Sequence, residues 1–195
     1  MQLCQIRGVL RLKQSLIVHF SGTPRGTGNG NLQLDFPKDL QAVAQNNFWQ
    51  IPCSTASQGH ARNNNSLMGS VGLIIRCRAG SSVLGVCPSD AGSSLVPNTG
   101  HRALGFCKPP TVRTCINSIT NRHGCNEWIV TNYDIKGIFF DGTFSVWDSS
   151  IMAERNTNWP EIKQAFPGLP VVYFYKRELM EVWPIQQRRN ICDFI

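Results

Sequence analysis

Residues 135–147, IKGIFFDGTFSVW, constrain the fold more than any other stretch of the chain. Asp141-Gly142 sits between two runs of apolar, aromatic and β-branched residues, and this dipeptide readily takes the left-handed conformations of a two-residue hairpin turn. A chain carrying it builds antiparallel sheet. Earlier segments agree. Leu10, Leu12, Leu16, Val18 and Phe20 alternate with Arg11, Lys13 and His19 as the two sides of a strand would, and alternation resumes over residues 31–36. Between them lies SGTPRGTGNGN, residues 21–31, which reads as a long hairpin loop. Composition points the same way. Only 16% of residues are charged, against about a quarter in an average globular protein, so the polarity comes from Asn, Gln, Ser, Thr and Gly, which suit turns.

The remaining elements follow from local period. Leu40, Val43, Ala44 and Phe48 fall at helical spacing behind Pro37, predicting a helix over 37–47. Residues 53–70 have no period and read as a long polar loop. The segments 72–78 and 82–87 predict a hairpin around Ala79-Gly80-Ser81. Pro88, Pro97, Pro109 and Pro110 leave room only for short strands such as 111–116. Asn158 with Glu161 resembles a capping box for a helix over 159–166, stopped by Pro167-Gly168. Strands at 171–175 and 179–183 close the chain. The expected class is a mainly β, β-rich α+β fold: antiparallel sheets built from hairpins, with two short helices. Length suits one domain over residues 1–195, basic over residues 1–126 and aromatic-rich over residues 127–195.

The net charge of +7 is uneven. Residues 1–126 carry twelve Lys/Arg against Asp35, Asp39 and Asp90, whereas residues 127–195 carry seven against nine acids. Such asymmetry allows an anionic partner, nucleic acid included. In sequence, however, the basic residues come singly, with Arg76 and Arg78 the closest pair, and no cluster is interleaved with aromatics.

Three stretches carry residue types suited to chemistry. The glycines at 21–31 match neither phosphate-binding fingerprint: a dinucleotide motif from Gly26 and Gly28 needs glycine where Asn31 stands, and a P-loop needs a lysine that is absent. His101, Cys107, Cys115, His123 and Cys125 supply five donors suited to zinc, although the usual pair of closely spaced cysteines is missing. Cys53 with His60, or Cys125 with His123, has the residue types of a thiol nucleophile and its base. Cys53 is favoured because an exposed loop gives a thiol access. Eight cysteines, about 4% of the chain, are too few for a disulfide scaffold and suit mostly buried thiols in a reducing cytoplasm or an assembled particle. Residues 1–20 do not read as a signal peptide, since Arg7, Arg11 and Lys13 interrupt them; a transit peptide fits the absence of acids before Asp35 less well than the strand alternation. No segment approaches a membrane span.

Aromatic residues load the last third, which predicts the main core there. In VVYFYK, residues 171–176, Val172 and Phe174 oppose Val171, Tyr173 and Tyr175, so both faces need covering, by this chain or a partner. Short strands, Asn/Gly/Ser-rich loops, few charges and this two-faced strand together look similar in style to accessory and connector proteins of virus particles, including phage tails; no motif carries the likeness. The expected function is a non-enzymatic binding or assembly protein with protein partners or self-association. The alternatives are a thiol-dependent hydrolase and a nucleic-acid-binding module.

Overall fold

The computed structural model describes residues 1–20, 36–59, 71–88, 107–120, 126–141, 164–175, 178–183 and 191–195. In chain order its elements are α1 (Leu3–Leu12), β1 (Ser15–Phe20), α2 (Phe36–Gln45), β2 (Ile51–Ser57), β3 (Val71–Cys77), β4 (Val83–Cys87), α3 (Val112–Ile119), β5 (Glu127–Val130), β6 (Tyr133–Asp141), β7 (Val171–Tyr175) and β8 (Glu178–Trp183). The strands of the described residues form one sheet, ordered β4-β5-β2-β1-β3-β6-β7-β8. Every pairing is antiparallel except β6 with β7. The chain is thus a β-rich α+β fold, with three short α-helices among the described residues.

Register assigns the faces. Ile17 lies opposite Ile75, Cys77 opposite Tyr133, and Cys53 opposite Trp128. Trp128 donates from Nε1 to Ser118 of α3, and Tyr133 donates to Val43 of α2, so the helices cover this face. On the other face a Cβ added to Gly137 would sit 3.1 Å from Ile74 and 3.2 Å from Phe194, which places the C-terminal turn Ile191–Phe194 there. Cover on both sides explains why the central strands are apolar at nearly every position: Leu16, Ile17, Val18, Leu73, Ile74 and Ile75 are all buried.

Among the described residues the largest fully buried side chains are Trp128, Tyr133, Phe139 and Phe174, as the aromatic load of the last third predicts. Phe139 and Phe174 stack with centroids 6.2 Å apart. On β7, which pairs with β6 and β8, Val171, Val172 and Phe174 are buried and Tyr173 is partly buried.

Several local readings are corrected. The alternation from Leu10 begins inside α1, where Ile6, Val9 and Leu10 are buried at helical spacing and Leu12 is 71% exposed. Gln14, at φ 44°, turns the chain into β1. The supposed loop from residue 53 begins as β2, buried at all but one position. β3 and β4 form no hairpin, because β3 pairs with β1 and β6 while β4 pairs with β5. The 111–116 strand is α3: Thr111 accepts the Thr114 amide, and Cys115, Ser118 and Ile119 face inward. That capping bond outweighs the β propensity of VRTCINSI. Among the described residues the strands make one sheet, in which β7 and β8 pair antiparallel.

The helix expected over 37–47 is α2. Of the 159–166 helix, Gln164 and Ala165 are helical, and Gly168 at φ 80° ends the turn; the rest lies outside the described residues, as do the 21–31 loop and the second arm of the 135–147 hairpin. Cys87 and Cys107 form a disulfide, while Cys53, Cys77 and Cys115 are buried free thiols. No described helix is long and apolar enough to cross a membrane.

Candidate functional site

At one end of the sheet the last residues of β3 meet the first of β6. Strand alternation sends Cys77 toward the helices and Arg76 to the other face. The register sets Arg76 opposite Asp134, and Arg76 Nη2 lies 3.2 Å from Asp134 Oδ2. Arg78 Nε approaches Oδ1 at 2.7 Å. A bulge opposite Ile74 and Ile75 leaves Lys136 as the extra residue of β6, with Nζ 3.8 Å from Oδ2. Bulges re-aim side chains in this way. Burial alone would raise the Asp134 pKa, but the bonds from Arg78 and Arg76 and the charges of Arg78 and Lys136 lower it. Among the described residues three cations share one carboxylate, an excess of two positive charges. Arg76, Arg78 and Lys136 are 31%, 46% and 29% exposed, which leaves them reachable from solvent. Arg76 Nε is buried and has no hydrogen-bond partner among the described residues.

Two exposed aromatic residues, Phe48 and Trp49, follow the C-terminal end of α2. The C-terminus of α2 leaves carbonyls to satisfy. Tyr133 Oη donates to the Val43 and Asn46 carbonyls at 3.0 and 3.2 Å, and the Trp49 amide donates to Asn46 at 2.9 Å. Thr131 Oγ1 donates to the Phe48 carbonyl at 2.6 Å, and the Tyr133 amide to Asn47 at 3.2 Å. On the other side of the same short segment the Arg78 amide donates to Asn132, and Ser82 Oγ donates to the Asn132 carbonyl at 2.8 Å. Residues 131–133 therefore tie Asn47-Phe48-Trp49 to Arg78. With their backbones held, Phe48 is 67% exposed and Trp49 44%.

The cysteines offer less. The exposure that recommended Cys53 is absent: it is 2% exposed in β2, and burial, with Cys77 and Glu127 nearby, raises its pKa well above the ordinary value. Burial likewise pushes the Cys77 and Cys115 thiols up to about 12. Such groups stay protonated and are poor nucleophiles at neutral pH. Of the zinc set, Cys107 is bound to Cys87 and its sulfur is not a free ligand, while Cys115 is buried on α3. His60, His101, His123 and Cys125 lie outside the described residues. Among the described residues no group of three His, Cys, Asp or Glu side chains is placed to hold a metal.

No family model matches the chain, and no curated protein matches it. Sequence reasoning singled out Arg76 and Arg78 as a close pair but passed over Lys136, Phe48 and Trp49. The i, i+2 spacing of two charges on each of two strands was the available signal, and it gains meaning only once Arg76 is known to face Asp134.

Proposed function

We propose that this protein works by binding, as a subunit that seats a macromolecular partner through exposed side chains, among them Phe48, Trp49, Arg76, Arg78 and Lys136. The observations that support the reading are the exposure of Phe48 and Trp49 after α2 and, separately, a solvent-facing cluster of Arg76, Arg78 and Lys136 around Asp134. Aromatic and arginine side chains dominate binding energies at interfaces because they offer large, rigid contact area and directed donors. Assembly with a protein or a nucleic acid uses the same elements. The raised pKa values of Cys53, Cys77 and Cys115 weigh against thiol catalysis at those positions.

Hydroxyl-radical footprinting tests the reading by comparing the isolated protein with the protein in an extract of the cells that make it. Phe48 and Trp49 are expected to oxidise readily in isolation and to be protected in the extract. Equal oxidation in both states overturns the proposal.

A further inference from the structure

We infer that the Cys87–Cys107 disulfide is a redox latch: opening it releases residues 107–108 from β4 and leaves that edge of the sheet unpaired at Val86. The inference goes beyond the binding reading above and stands without it. β4 ends the strand order on one side, and among the described residues it is 107–108 that run along its outer edge. The cover is thin. Val86 and Lys108 exchange two backbone bonds, each 3.0 Å, in a single isolated pair. Pro109 and Pro110 follow and have no amide hydrogen, so neither donates to extend the ladder past Lys108. At Gly85 the missing side chain lets residue 107 lie against the strand, since an added Cβ would come within 2.7 Å of Cys107 Cβ.

The neighbouring α3 is anchored without the disulfide. Ser118 Oγ donates to the Cys87 carbonyl at 2.9 Å and accepts from Trp128 Nε1 at 3.0 Å, and Cys115 and Ile119 are buried. Thr114 Oγ1 donates to the Pro109 carbonyl at 2.9 Å, so α3 holds the chain again from residue 109 onward. Of the described residues, 107–108 are therefore the part that depends on the covalent bond. The two sulfurs differ in access. Cys87 is buried, whereas Cys107 is partly exposed, so an attacking thiolate reaches the Cys107 sulfur first. The thiolate of a dithiol reductant forms a bond to Cys107 Sγ, and the electron pair of the broken bond leaves with Cys87 Sγ, which takes up a proton. The second thiol of the reductant gives up its proton and displaces Cys107 as a thiol. The protein gains two thiols, and the reductant becomes a cyclic disulfide.

Amide hydrogen exchange of the whole protein, read residue by residue by NMR with and without dithiothreitol, tests this, and alkylation followed by mass measurement reports whether Cys87 and Cys107 are reduced. On reduction the Val86 and Lys108 amides are expected to exchange about tenfold faster or more, beyond any change at the Cys115 amide, which donates to Thr111 at the start of α3. Cys87→Ser combined with Cys107→Ser is expected to show the fast rates without reductant, and reoxidation of the parent to restore the slow ones. Three results each overturn the inference: Val86 and Lys108 staying as protected in the reduced protein as in the oxidised one, equal acceleration at Val86 and Cys115, which is a general loss of stability, or a bond that dithiothreitol opens only after the protein has unfolded.

Discussion

Tyr133 shows how much one side chain can do in this sheet. Its ring is fully buried opposite Cys77, and its hydroxyl caps the end of α2 through Val43 and Asn46. The same residue opens β6, one position before Asp134. Tyr133→Phe keeps the ring and removes the donor. It is expected to lower stability by about 1–2 kcal/mol, because the α2 carbonyls lose a buried partner. Urea unfolding measures the loss, and an unchanged midpoint would mean that water replaces the hydroxyl. Nothing in the residue type announced this role, since a tyrosine in an aromatic-rich third reads simply as core.

At the scale of elements, β4 is an edge strand that the protein protects. Segment 107–108 runs beside it, with Val86 and Lys108 exchanging both backbone bonds at 3.0 Å. The Cys87–Cys107 disulfide fixes that segment across 20 residues. Gly85 makes room, since a Cβ there would meet Cys107 Cβ at 2.7 Å. A covered edge cannot pair with another chain. Loop closure of this length stabilises by about 3 kcal/mol. The double variant Cys87→Ser with Cys107→Ser is expected to melt several degrees lower than the oxidised protein, and reductant should bring the parent down to the same temperature. A parent insensitive to reductant would show that the bond adds no stability. Cysteine spacing alone could not reveal this pair, because eight cysteines permit many pairings and only the docking of residue 107 against β4 selects one.

Across the whole molecule, burial of ionisable groups sets a pH window for stability. Burial pushes Cys77, Cys115 and Tyr133 up to about 12 and Cys53 well above its ordinary value, so the fold favours their neutral forms. In the unfolded chain thiols ionise near about 8.5 and tyrosine near about 10. Stability from these groups is complete below the lower value and falls as pH rises from there toward the folded values. The sign reverses for Asp134: its depressed pKa gives stability above about 4 that is lost as pH falls further. Urea midpoints are expected to be level from about pH 6 to about pH 8 and to drop steadily above about pH 9. A midpoint unchanged at about pH 11 would contradict the burial of these thiols.

By itself the sequence determined what depends on neighbours along the chain: the β-rich class, α2, the strands β7 and β8, and the large buried aromatic side chains of the last third, although most of the buried apolar residues described lie before residue 127. Period and turn chemistry act over a few residues, so they are readable there. Tertiary structure decided what depends on distant partners. It made a helix of 111–119 through a cap and a buried stripe, split β3 from β4 by offering each another strand, buried Cys53 and joined Cys87 to Cys107. It also made the cationic cluster, because Arg76 and Arg78 meet Asp134 and Lys136 only through the pairing of β3 with β6.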